Sequence, residues 1–191
     1  MQDYTKYRWF YTSSGKLVVG GKSSIQNDEL LKKLKREGND LIIMHTSAPG
    51  SPFSVILEDV KKVSEKDIQE TAIFTGCFSR AWREKRKKAE IDIFSLSQVH
   101  KSKFMKTGTW GVKGKISRTK VDLELVLTIQ KDTLRAVPEL TTKKKEILLK
   151  IIPGKTDKRE MLIKLHTVLP DGFSQEEILQ ALPAGGVSIK K

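Results

Sequence analysis

The chain has 191 residues, 38% of them apolar and 31% charged, with a formal net charge of +13 at neutral pH. That length suits one large domain or one domain with a small appendage, and no apolar run is long enough to span a bilayer. The single cysteine, Cys77, excludes an internal disulfide, and the opening Met1-Gln2-Asp3-Tyr4 lacks a charged-then-apolar leader; both point to the cytoplasm.

In chain order, Tyr7-Arg8-Trp9-Phe10-Tyr11-Thr12 is aromatic and strand-forming, Ser13-Ser14-Gly15 is a turn, and residues 16–20 return. This predicts a β-hairpin over residues 7–20. Ser23 with Gln26 marks a helix start, Leu30, Leu31 and Leu34 give that helix a buried side, and Gly38-Asn39 stops it. Residues 41–45 and 53–57 read as strands flanking the loop that holds Pro49-Gly50-Ser51-Pro52. Ser64 with Asp67 opens a long helix to about Lys88, whose apolar face carries Ile68, Ala72, Phe74, Cys77, Phe78, Ala81 and Trp82. Further strands are predicted over residues 91–99, 107–112 and 121–127. The tail adds a strand over 146–152, a helix over 156–168 with Met161, Leu162 and Leu165 inward, and a short helix after Ser174. The sum is an α+β fold: a mostly antiparallel sheet packed on one long helix, with a small α/β C-terminal extension. Residues 1–128 form the expected principal domain, and residues 129–191 the extension packed on it.

The charge is uneven. Residues 1–60, 61–120 and 121–191 carry net charges of +1, +10 and +2, and no Asp or Glu occurs from Ile93 to Val121. A local excess of this kind attracts polyanions, nucleic acid above all. The candidate contacts are Arg80, Arg83, Lys85, Arg86, Lys87, Lys88, Lys101, Lys103, Lys106, Lys113 and Lys115. Trp110 is a candidate base-stacking aromatic, whereas Trp82 sits on the apolar helix face and belongs to the core. The competing reading of the lysines is a solvated charged face.

Lys22, Gln26 and Asn27 at a helix start, and His45, Gly50 and Ser51 around a loop, are candidate phosphate contacts. Helix capping competes for the first group, and a histidine hydrogen-bonded at a strand end is the favoured reading of His45. Gly20-Gly21-Lys22 lacks the spacing of a P-loop. One cysteine and three scattered histidines supply no zinc ligand set, and no nucleophile, base and orienting group stand together. No catalytic residue, cofactor or metal is therefore assigned.

Several segments follow the motif order of a known family. Tyr7-Arg8-Trp9-Phe10, Gly15-x-Leu17-Val18-Val19-Gly20-Gly21-Lys22 and Gln26-Asn27-Asp28 resemble the opening of the NFACT-R domain. This is the RNA-binding module of the fibronectin-binding-protein A and ribosome quality-control family. His45 with Pro49-Gly50-Ser51 resembles its central loop, and Ser79-Arg80-Ala81-Trp82 its helix signature. Gln98-Val99, Lys101 and Gly108-Thr109-Trp110-Gly111-Val112-Lys113-Gly114-Lys115 resemble its closing strands. The resemblance covers residues 4–115. Pro52-Phe53 stands where a second histidine is common in the family. Full-length members also carry an NFACT-N domain and coiled-coil arms, so functions of those parts are not expected of these 191 residues.

The resemblance implies a non-enzymatic domain that binds structured RNA, tRNA or rRNA, in a ribosome-associated setting, with no membrane partner. The charge excess favours a nucleic-acid partner independently. A second expectation is a protein adaptor that meets an acidic partner, with Phe10, Tyr11 or Trp110 as anchors. A nucleic-acid-processing enzyme ranks last.

Overall fold

The computed structural model describes residues 3–190, apart from the side chain of Lys158; Met1, Gln2 and Lys191 lie outside it. The aromatic hairpin forms as predicted. β1 (Arg8–Tyr11) and β2 (Leu17–Gly20) pair with Trp9 opposite Val19 and Phe10 opposite Val18. Its turn is closed by Gly15 N–H donating to Thr12 O, with Gly15 at φ +83°, a left-handed conformation that suits glycine. α1 (Ser24–Glu37) begins where the Ser23 hydroxyl accepts from Gln26 N–H and ends at Gly38 with φ +78°. β3 (Ile42–Thr46) and β4 (Ser54–Ile56) follow, then α2 (Glu65–Cys77), opened by a true capping box of Ser64 and Asp67.

Here the predicted long helix breaks. α2 stops at Cys77, and a separate turn, α3 (Arg80–Arg83), begins after Ser79. The Ser79 hydroxyl donates to Gly76 O at 2.7 Å and accepts from Ala81 N–H at 3.1 Å, so one side chain ends the first helix and caps the second. The apolar spacing runs straight through the break, which is why periodicity alone missed it. Lys85 then turns the chain at φ +58°, and residues 85–88 leave the helix altogether.

β5 (Lys88–Ser95) is followed by two short strands, β6 (Val99–His100) and β7 (Gly111–Val112), and by β8 (Ser117–Asp122). The predicted strand over 107–112 shrinks to two residues, because Thr107 and Gly108 form a turn closed by Thr109 N–H donating to Lys106 O. The strand over 121–127 is divided between β8 and β9 (Leu125–Gln130). β10 (Thr133–Val137), β11 (Leu149–Pro153), α4 (Lys158–Val168), α5 (Gln175–Ala181) and β12 (Val187–Lys190) complete the chain.

The first sheet runs β1-β2-β4-β3-β5-β8, each neighbour antiparallel. Successive residues face opposite sides. Trp9, Val19, Ile43, Val55 and Phe94 pack with Leu30, Leu31 and Leu34 of α1. Phe10, Val18, Met44 and Ile56 pack on the other side with Phe74 of α2. Burial on both faces explains why these strands read as unbroken apolar runs.

The second sheet runs β10-β9-β11-β12 and is also antiparallel. Its Leu125, Leu127, Ile151 and Val187 belong to the same apolar cluster as Phe10, Phe74 and Trp82, and so do Leu165 of α4 and Ile178 of α5. Residue 128 lies inside β9, and the shared core crosses that point. Gln130 joins the sheets more directly: its side-chain oxygen accepts from Tyr11 N–H at 2.8 Å, and its amide donates to Tyr11 O at 2.9 Å. The side chain thereby occupies a backbone pair on the otherwise open edge of β1.

Asp67 fastens α2 to the hairpin. Burial pushes its carboxyl up, but hydrogen bonds from Ser14, Thr12 and Ser64 outweigh burial and hold it at about 2. A folded-state value below the unfolded one stabilises above the unfolded value and ceases to do so as pH falls through the folded value. Asp67→Asn is therefore expected to cost about 2 kcal/mol at neutral pH. The difference from the parent chain should shrink between about pH 4 and pH 2, as read by urea unfolding across that range.

Candidate nucleic-acid interface

A cleft of about 640 Å³ opens where the end of β2, the start of α1, the 46–52 loop and α3 converge. Arg8, Lys22, His45, Gly50, Ser51 and Arg83 all line it, so the structure brings together loop candidates that are distant in sequence. Gly21 permits the closest approach: a Cβ there would lie 2.2 Å from Asn27 Oδ1. That same oxygen accepts from Phe53 N–H at 3.2 Å, and Gln26 Oε1 accepts from Lys22 N–H at 2.9 Å. Gln26 and Asn27 thus spend their side-chain acceptors on the backbone and build the cleft.

His45 rests on the Phe53 ring with centroids 4.6 Å apart. Its Nδ1 lies 2.7 Å from Thr46 O, which makes Nδ1 the protonated nitrogen of a neutral ring. Burial pushes its pKa down, against the bond to Thr46 O and the charge of Asp92. The imidazole is therefore neutral at physiological pH, a polar wall rather than a cation. Ser51 Oγ accepts from Thr46 N–H at 2.9 Å, and Gly50 O accepts from Arg80 N–H at 2.7 Å, so the loop is fastened to α3.

A second groove of about 430 Å³ adjoins the first, with Thr46, Ser47, Pro49 and Ser79 as shared walls. Arg80, Arg86, Lys88 and Lys120 line it. Arg80 and Arg86 both reach Glu84, at 3.8 and 2.6 Å, and Lys88 reaches Asp122 at 3.2 Å. These exposed pairs are weak and can yield to a phosphate. Arg83, Lys85, Lys87, Lys103, Lys106, Lys113, Lys115 and Lys120 make no ion pair among the described residues.

Two candidates turn out to be structural. Trp110 borders the large cleft but is only 9% exposed, and its indole N–H donates to Asp28 Oδ1 at 2.8 Å, which leaves little of the ring open to a base. Lys101 Nζ donates to the same Asp28 oxygen at 3.1 Å, to Lys106 O at 2.7 Å and to Thr109 O at 2.9 Å. All three of its donors are engaged inside the protein. Phe10 is fully buried, so neither it nor Trp110 can anchor a protein partner. The aromatic that sequence reasoning passed over is Phe104, 98% exposed between Lys103 and Lys106 at the tip of the β6–β7 arm. Its signal was an isolated aromatic between lysines, overshadowed by the two tryptophans. Arg8 and Arg135 were also missed, the first because it lies inside an aromatic strand motif and the second because it comes from the tail.

Cations that are unpaired or only weakly paired, around two adjoining clefts on an antiparallel sheet, make the surface of a polyanion-binding domain. The family described as "NFACT protein RNA binding domain" matches residues 6–114, and the chain belongs to it. Over 203 aligned residues it is 31% identical to the archaeal Rqc2 homolog aRqcH of Methanocaldococcus jannaschii. That alignment covers 98% of this chain and 29% of the relative, so the chain spans under a third of that protein's length. The fold is similar to the C-terminal part of the fibronectin/fibrinogen-binding protein from Streptococcus suis, with a TM-score of 0.52 at 20% identity. This likeness covers 61% of the present chain and 44% of the other. No helix among the described residues is long and apolar enough to cross a membrane, and no cluster of three or more metal-ligating acids, histidines or cysteines occurs among them.

Asp28 holds the arm to α1, since its Oδ1 also accepts from Gly108 N–H at 3.0 Å. Burial pushes its carboxyl up, but Lys101, Trp110 and Gly108 outweigh burial and hold it below its ordinary value. Asp28→Ala strands these donors and is expected to cost about 3 kcal/mol. A red shift of Trp110 fluorescence before global unfolding would report the loosened arm.

Proposed function

We propose that the chain binds structured RNA, tRNA or rRNA, without catalysing a reaction on it, in a cytoplasmic ribosome quality-control setting. The carrying observation is the pair of adjoining clefts walled by Arg80, Arg83, Arg86, Lys88 and Lys120. Their shared wall, the 46–52 loop, is held rigid by its bonds to α3 and β5, so a strand laid across both clefts meets a fixed spacing of charge. Lys103, Lys106, Lys113 and Lys115 extend the positive rim along the arm, and Phe104 offers an exposed ring for stacking on an unpaired base. The family's description as RNA-binding and the relative's identity as an Rqc2 homolog support this reading.

Labelled tRNA, an rRNA hairpin and matched duplex DNA, each titrated at low and near-physiological salt, test it. Preference for a structured RNA that survives the higher salt is expected, with a log–log salt slope of about −0.7 to −0.9 per phosphate contact. Equal binding to all three that vanishes with salt would reduce the charge to a generic attraction. Arg83→Glu/Lys120→Glu reverses one unpaired charge in each cleft and should lower RNA affinity by more than about tenfold without lowering Tm. Phe104→Ala should cost about 1–3 kcal/mol of RNA binding and leave stability unchanged. An unaltered affinity in that variant would remove the stacking role.

A further inference from the structure

We propose that Arg8, Lys22 and Arg135 form a binding site for a phosphate group at the edge of β1, completed by a residue of the second sheet. The Arg8 guanidinium lies over the Phe78 ring at 4.6 Å, and that of Arg135 over the Trp9 ring at 4.2 Å. Arg135 Nε also donates to Trp9 O at 3.2 Å. A guanidinium held by its face is pre-set in position, while the outer N–H edge stays available to an oxyanion. Lys22 stands one residue before the N-cap of α1, and Arg8 and Lys22 together line both the large cleft and a neighbouring recess of about 590 Å³.

No carboxylate answers these charges. Among the described residues, none of the three makes an ion pair. The recess does hold two acids, but Asp157 accepts from Arg159 N–H at 2.8 Å to cap α4, and Glu176 accepts from Gln180 at 2.8 Å. Arg8 and Arg135 are part-buried and Lys22 is exposed at this edge, and their like charges oppose one another. Burial lowers the Arg8 pKa, and burial followed by the charges of Arg8 and Arg135 lowers that of Lys22. Burial, then Arg8, brings Arg135 down to about 10. An arriving anion relieves this repulsion, and two forks with one ammonium suit the several oxygens of a phosphate better than a single carboxylate.

The same chemistry is presented by a backbone phosphate of a bound strand and by a free phosphate compound, and the test separates them. Sodium pyrophosphate is titrated into the full chain at constant ionic strength while backbone amide and indole N–H signals are followed by two-dimensional NMR. Saturable shifts centred on Trp9 and Lys22 are expected, with affinity about tenfold weaker in Lys22→Gln and in Arg135→Gln. Arg135 also supports Trp9, so Lys22→Gln is the decisive variant, because the Lys22 side chain is exposed and fastens no other element. Shifts that rise linearly, that appear equally at remote lysines such as Lys144, or that persist in both variants overturn the site. A second arm adds labelled RNA. Its displacement by pyrophosphate assigns the site to a strand phosphate, and saturable pyrophosphate binding beside undisturbed RNA assigns it to a free phosphate compound. Because the probe is not RNA, failure of the chain to bind RNA leaves the pyrophosphate result to decide alone.

Discussion

The hydroxyl of Ser79 is the point on which the binding surface turns. By bonding Gly76 O and Ala81 N–H it ends one helix and starts another within two residues. Ser79 itself lines both clefts, while Arg80 faces one and Arg83 the other. An uninterrupted helix would carry residues 84–88 away from the sheet. The break instead lets Lys85 reverse the chain and lets β5 enter the sheet beside β3. The close packing of α2 that makes this possible depends on Gly76, where a Cβ would lie 3.0 Å from Leu123 and 3.2 Å from Val121.

Charge in this protein is sorted by what it faces. Cations that hold structure have dedicated partners, as Lys101 has Asp28 and two carbonyls. Cations on the clefts have weak partners or none, and solvent-exposed positions such as Arg83 and Lys120 keep them hydrated at little cost. At the β1 edge, Arg8 and Arg135 are supported on aromatic faces instead of carboxylates. Ring faces stabilise a guanidinium without cancelling its charge, so the site keeps its field.

The tail is part of the architecture of the surface. Its Gly186 carbonyl accepts from the Trp82 indole at 3.0 Å, and a Cβ on Gly185 would lie 3.0 Å from Arg83 Cα. Ala184 closes one side of the large cleft, Gln130 covers the edge of β1, and Arg135 reaches over Trp9. The loop before β12 thus packs against α3 and borders the large cleft.

The amino-acid sequence determined what depends on near neighbours. Gly15 announced the hairpin turn, Ser23 and Gly38 bounded α1, and Ser64 with Asp67 opened α2, because turns and caps are satisfied within a few residues. The buried strands were legible as apolar runs, the charge excess as a count, and the family as ordered motifs. Tertiary structure decided what depends on distant residues. Helical spacing over 68–82 could not reveal the break at Ser79, since the same side chains stay buried on either side of it. Trp110 and Lys101 read as ligand contacts until Asp28, more than 70 positions away, claimed their donors. Arg135 reaches Trp9, and Gln130 reaches Tyr11, only because an edge strand of one sheet is covered by the other, a long-range contact that no local spacing encodes.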